Sequence, residues 1–200
     1  MKKFATILLL FGFLFSSAQE KSVPLTSKEF QDKLNKEFAD RKESPLTEED
    51  LKSFKTLDFY PIDEKFIVIG GFVKANNEQV FKMKTTTDRL PEYIKYGEVY
   101  FKMDGKGFKL NIYQNIDFIK KKGFEDYLFL PFSDLTCGKE SYIGGRYIDL
   151  RIPKDGTITI DFNTAYNPYC AYNHKYSCPI VPLENKVDLE IKAGVKKYHD

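Results

Sequence analysis

Residues 92–114 read EYIKYGEVYFKMDGKGFKLNIYQ. Two runs rich in aromatic and β-branched residues, Glu92–Met103 and Phe108–Gln114, flank Asp104-Gly105-Lys106-Gly107. An Asp-Gly pair between such runs is the strongest short-range signal for a β-hairpin. The pattern extends outward on both sides. Upstream, Lys65–Val73 is dense in β-formers, with Gly70-Gly71 predicting a bulge or bend. Glu78–Thr85 follows an Asn76-Asn77 turn. Downstream, Tyr127–Pro131 is a short apolar run. Arg146–Ile152 and Thr157–Phe162 predict a second hairpin across Pro153-Lys154-Asp155-Gly156. Lys186–Ala193 alternates Val187, Leu189 and Ile191 and reads as the closing strand. About eight strands at short spacing, without long crossovers, predict a mainly β fold: an antiparallel β-barrel or sandwich.

Helical signals come before the strands. Thr26-Ser27-Lys28-Glu29 fits a capping box, and Phe30, Leu34 and Phe38 follow at four-residue spacing. After Pro45, Thr47-Glu48-Glu49-Asp50 repeats the cap logic, with Leu51, Phe54 and Leu57 on one stripe before Pro61. Two N-terminal helices within residues 26–58, covering an end or edge of a β-domain at 65–195, are therefore expected.

The first eighteen residues read differently. Lys2 and Lys3 precede an apolar core, Ile7–Phe15, and Ser16-Ser17-Ala18 offers a small-residue cleavage site. This is the grammar of a signal peptide. It predicts export to the periplasm or the medium, leaving residues 19–200 as one globular domain. No later apolar run approaches the roughly twenty residues a spanning helix needs, so no membrane association is expected after signal removal. The formal charge of +2 is due to Lys2 and Lys3, and the mature chain is neutral. Neutrality gives no electrostatic case for nucleic acid. Oligomeric state is left open.

Residues 161–185, DFNTAYNPYCAYNHKYSCPIVPLEN, are too irregular for a strand and too rich in Asn, Pro and Tyr for a helix. A phenylalanine, four tyrosines and two cysteines argue against disorder. A long ordered loop in a small domain is usually functional, and the site is expected here. Cys170 and Cys178 read first as a disulfide. The alternative is a zinc set in which Cys170, His174 and Cys178 are spaced C-x3-H-x3-C, with Cys137 as a fourth ligand. Cys137 reads as a buried inert thiol; a Cys-His nucleophile pair with His174 is the sharper alternative. Gly144-Gly145 suits a positive φ or a close backbone approach. Arg146 is a planar fork for a carboxylate or phosphate, and an internal pair with Glu140, Asp161 or Glu184 is the plainer reading. Asn163, Asn167 and Asn185 suit turn-like ties within the loop. Tyr166, Tyr169, Tyr172 and Tyr176 suit either a stacking wall or a small core of the loop's own.

The order of several motifs resembles one family. Ser44-Pro45-Leu46, Phe59-Tyr60-Pro61-Ile62-Asp63, Thr136-Cys137-Gly138-Lys139-Glu140-Ser141-Tyr142, Gly144-Gly145-Arg146-Tyr147 and the 161–185 run together look like the bacterial and archaeal domain of unknown function 1684. Ile143, Val181 and Val195 depart from that pattern. The resemblance implies no activity and no cofactor. The candidate pocket is therefore Glu140, Tyr142, Gly145, Arg146, Asp161, Asn163, Tyr166, Asn167, Glu184 and Asn185, with no metal assigned. The expected function is binding of a small polar ligand or partner at the loop. The alternative is a hydrolase built on the Arg146–carboxylate cluster, so whether the chain is an enzyme stays open.

Overall fold

The Asp104-Gly105 pair turns the chain as its chemistry requires: both residues have positive φ, 50° and 75°, and Met103 pairs directly with Lys106. This is the two-residue hairpin loop whose twist matches the flanking strands. In the computed structural model, which describes residues 25–199, the hairpin is the centre of a seven-stranded antiparallel sheet. The predicted signal segment, residues 1–18, lies outside the described residues.

Helix α1 spans Ser27–Ala39 and begins with the expected capping box, Thr26 and Glu29 bonding reciprocally. The second helical signal yields only a six-residue turn, α2 (Glu48–Ser53). Two full helices are therefore not formed. From Phe54 the backbone is extended, and the Leu57 amide donates to Asn35 Oδ1 at 2.8 Å, which buries Leu57 against α1 instead of continuing the helix.

The strands are β1 (Ile67–Lys74), β2 (Phe81–Lys82), β3 (Glu92–Met103), β4 (Lys106–Asn115), β5 (Tyr127–Phe132), β6 (Arg146–Arg151) and β7 (Thr157–Asp161). Their order is β6-β5-β4-β3-β1-β7, with β2 pairing on β3, and the sheet curls into a half-barrel. The irregularity expected at Gly70-Gly71 lies instead in β3, where the register with β4 shifts between Lys95 and Gly97. Gly70 serves close approach: a Cβ there would stand 2.4 Å from Val99 Cγ2.

Two expectations about pairing are corrected. β6 and β7 do not form a hairpin; β6 pairs with β5 and β7 with β1, so residues 152–156 link the two edges of the open sheet. Adjacent sequence suggested a hairpin, but each strand finds a partner that continues its apolar alternation. The eighth strand, 186–193, is absent. Its alternation is real, with Val187, Ile191 and Ala193 fully buried, but it crosses the core as an extended strap that makes one isolated bridge, Ser133–Lys186, and otherwise scattered hydrogen bonds.

Period-two alternation divides the core. Val99, Leu110, Ile112, Leu128, Leu130, Phe132, Ile148 and Ile160 form an aliphatic core on one face, closed by the strap. Tyr93, Tyr113, Phe129 and Tyr147 form an aromatic cluster on the other. Leu34, Phe38, Leu57 and Tyr172 seat α1 on the loop.

Candidate functional site

The strand alternation that builds the aromatic face also places one charge on it. In β5, Tyr127 and Phe129 stand opposite Leu128 and Leu130; in β6, Tyr147 and Asp149 stand opposite Ile148. Loop 161–185 folds over this face and is fixed at several points. Tyr166 and Tyr147 exchange backbone hydrogen bonds of 2.9 and 3.0 Å. The Tyr147 hydroxyl donates to the Pro179 carbonyl. Ser27 of α1 donates to Asp161 at 2.6 Å, and Gln31 to the Asn163 carbonyl at 3.3 Å. The loop does not close flush on the sheet. A cleft of about 580 Å³ remains between them, walled by α1, by Phe118 and Phe124, and by Tyr169 and Tyr176 of the loop. That size and its largely aromatic lining are those of a small-molecule site.

Asp149 is the cleft's distinctive group. Its Oδ1 accepts hydrogen bonds from the Tyr127 hydroxyl at 2.7 Å and the Tyr166 hydroxyl at 2.6 Å. Its side chain is open to the cleft, yet protein surrounds it in nearly every other direction. That loss of water raises its carboxyl above the usual range, against the two tyrosine hydroxyls and the more distant charges of Arg151 and Lys33, which act to lower it. Tyr127 and Tyr166 are pushed well up, by burial first and by the Asp149 charge second.

Of the other charges lining the cleft, Lys33 and Asp117 have ion-pair partners, whereas among the described residues Arg89 and Lys121 have polar or ring contacts only. Lys33 pairs with Glu37 at 3.6 Å and Asp117 with Lys120 at 2.9 Å. Arg89 donates to the Ser177 carbonyl at 2.7 Å and hydroxyl at 3.0 Å. Lys121 lies over the Phe118 ring at 4.9 Å.

Of the ten candidate pocket residues, Tyr166 alone lines this cleft; of the other loop residues singled out in sequence, Tyr169, Tyr176 and Cys178 line it as well. Arg146 is fully enclosed. Its carboxylate partner is Asp134, at 3.1 Å, and two further donors reach the carbonyls of Ile191 and Ala193, while Nε has no partner among the described residues. None of the three expected acids supplies that bond: Glu140 is exposed and pairs with Lys192, Asp161 holds Ser27 and Asn163, and Glu184 is exposed. The arginine–carboxylate cluster of the hydrolase reading is thus not assembled. Gly145 has φ 86°, and a Cβ on it would stand 2.6 Å from the Phe132 carbonyl, so its close approach is to backbone, not to a ligand.

The asparagines are buried ties, and they reach further than the loop itself. Asn163 brackets Asp63, accepting from its amide at 3.1 Å and donating to its carbonyl at 3.0 Å. Asn167 donates to the Lys196 carbonyl at 2.8 Å. Asn185 exchanges bonds with the Asn111 backbone, 2.9 and 2.8 Å, and also donates to Pro131.

Cys170 and Cys178 are free thiols rather than a disulfide, although they are neighbours: the Cys170 amide donates to Cys178 Sγ at 3.1 Å. A hydrogen bond from the Cys178 thiol favours the Cys170 thiolate, lowering it to about 6 and holding Cys178 protonated. The Tyr142 hydroxyl lies 3.9 Å from Cys170 Sγ. His174 is exposed, and among the described residues no three His, Cys, Asp or Glu side chains gather as a metal site would require. Cys137 sits by Asp134 and Ser141, its thiol raised mainly by burial.

Sequence reasoning missed Asp149, Tyr127 and Tyr93. The signal was present in Tyr147-Ile148-Asp149-Leu150, an acid on the aromatic side of a strand whose other central residues are apolar or aromatic. What brings Tyr166 onto it is a long-range crossing that no local pattern encodes.

No curated protein matches the chain. Solved structures do, among them the solution NMR structure of an uncharacterised protein of Haloarcula marismortui. It is 30% identical, with 83% of this chain and 89% of that one covered and a TM-score of 0.66. The model of a family described as a protein of unknown function, DUF1684, matches residues 52–196. With the whole sheet, the strap and the 161–185 loop inside that match, the chain belongs to the DUF1684 family.

Proposed function

We propose that this is an exported β-domain that binds a small polar ligand in the cleft under the 161–185 loop. The observation that carries the reading is Asp149: a carboxylate held in place by two tyrosine hydroxyls, on the floor of an aromatic cleft large enough for a small molecule. Aromatic walls give a ligand apolar contact area, and the carboxylate fixes its orientation through a hydrogen bond. Fragment screening by amide-resolved NMR tests this. Polar fragments should shift the backbone signals of Tyr127, Phe129, Asp149 and Tyr166 together. Saturating shifts confined to other surfaces would refute it.

Export is supported by the Lys2-Lys3, Ile7–Phe15, Ser16-Ser17-Ala18 pattern. The intact mass of the protein recovered from the periplasm or medium should begin at Gln19; a mass beginning at Met1 would reject cleavage. In an oxidising compartment the neighbouring Cys170 and Cys178 thiols would join as a disulfide.

A further inference from the structure

We infer that the ligand of this cleft is an organic monocation: an ammonium group on a ring-sized apolar body, with Asp149 as its counter-ion. The inference rests on the binding reading above and narrows it to a chemical class. Both tyrosine hydroxyls bond to the same oxygen, Oδ1. Among the described residues, Oδ2 receives no hydrogen bond and no cation stands within ion-pair distance of Asp149. Hydroxyl donors orient a carboxylate without neutralising it. A carboxylate open to the cleft but largely surrounded by protein gains more from a nearby countercharge than one free in solvent.

The nearby cations do not fill that role. Lys33 is engaged by Glu37, and Arg151 pairs with Asp126 at 2.6 Å while lying over the Phe124 ring. The missing positive charge has an obvious source in a ligand. The rings of Tyr93, Tyr127, Phe129 and Tyr147 line the same cleft, and aromatic faces attract cations. An anion would meet the carboxylate directly. A hard divalent ion would find one carboxylate where it needs six or more oxygens. A neutral polyol would occupy the cleft and leave the charge uncompensated.

Benzylamine and benzyl alcohol, nearly equal in shape and different in charge, separate these cases in amide-resolved NMR titrations near neutral pH. Benzylammonium should bind at least tenfold more tightly than benzyl alcohol, shifting Asp149 and Tyr166. Asp149→Asn should abolish that preference while leaving benzyl alcohol affinity within about twofold. Tyr166→Phe, which keeps the carboxylate, should keep the preference. Should Asp149→Asn not fold, acid titration of the wild-type protein serves instead: benzylammonium binding should weaken as Asp149 protonates and benzyl alcohol binding should not. Equal or tighter binding of the alcohol at the cleft overturns the cation inference and leaves the binding reading standing. Absence of cleft shifts with either probe overturns both.

Discussion

A guanidinium sealed from water is tolerable only if its charge is matched and its donors are used. Arg146 meets most of that requirement through Asp134 and the carbonyls of Ile191 and Ala193, with the Phe132 ring 5.3 Å away; its Nε alone lacks a partner. Arg146→Lys replaces a fork by a point charge that reaches one of these acceptors at a time. Breaking a buried pair of this kind costs about 3–5 kcal/mol, so denaturant melts of Arg146→Lys and Arg146→Ala should show losses of that order. A loss under 1 kcal/mol for both variants would refute the structural role. Asp149 answers to a different balance. Its folded-state carboxyl is raised, so between its unfolded and folded values the native protein holds more protons than the unfolded chain. Stability attributable to this group therefore falls as pH rises through that window and is level above it. Tyr127, Tyr166, Lys33 and Arg151 are the ionisable groups that bear on it, and all of them favour the charged form or stay neutral there. Asp149→Asn keeps an oxygen for both hydroxyls and removes the charge. The melting temperature of Asp149→Asn relative to wild type should rise from acid to neutral pH, and a difference that stays flat or falls would contradict this account.

At the scale of elements, the loop 161–185 behaves as a rigid wall because it is tied to five separate parts of the chain: α1 through Ser27 and Gln31, residue 63 through Asn163, β6 through Tyr166, and β4 and β5 through Asn185. Oxidation would add a local staple. A Cys170–Cys178 disulfide closes a short loop and should stabilise the protein by roughly 2–3 kcal/mol on the chain-entropy account. Melting with and without reductant, together with non-reducing peptide mapping, checks this. Two freely alkylated thiols in air-oxidised native protein would reject the staple. The elements also show where sequence is a sufficient guide. The capping box at Thr26 and the Asp104-Gly105 turn were legible because a few adjacent residues determine both. The span of the β6 and β7 strands was legible, but their pairing was not, since period-two patterns specify a face and not a neighbour. Arg146 was recognisable as a buried fork in need of an acid. Asp134, in Ser133-Asp134-Leu135, looks like any turn acid until Ile191 and Thr136 are seen to share it.

At the scale of the whole molecule, the half-barrel is open, and its aliphatic side is closed by the strap that follows Asn185. A strand pairing along its length would have supplied a ladder of hydrogen bonds. The strap instead uses scattered ones: Val187 to Ser133, Leu135 to Leu189, Ile191 to Asp134, Tyr60 to Gly194 and Val195 to Ala165. Its principal contribution is therefore burial. Val187, Ile191 and Val195 are almost wholly enclosed, and full burial of such a side chain is worth about 1.5–3 kcal/mol each. Together they amount to a large share of the roughly 5–15 kcal/mol that holds a domain folded. The strap also carries both carbonyls that receive Arg146, so its loss would leave a buried guanidinium with Asp134 alone. Removal of residues 186–200 should accordingly abolish cooperative unfolding, not fray one end. The expected readout is loss of the thermal transition in near-ultraviolet circular dichroism and of slow amide exchange in β4 and β5, which lie far from the strap in sequence. A truncated chain that melts cooperatively within about 3 °C of the full protein, a shift on the order of 1 kcal/mol for a domain of this size, would show that the sheet sustains its own core.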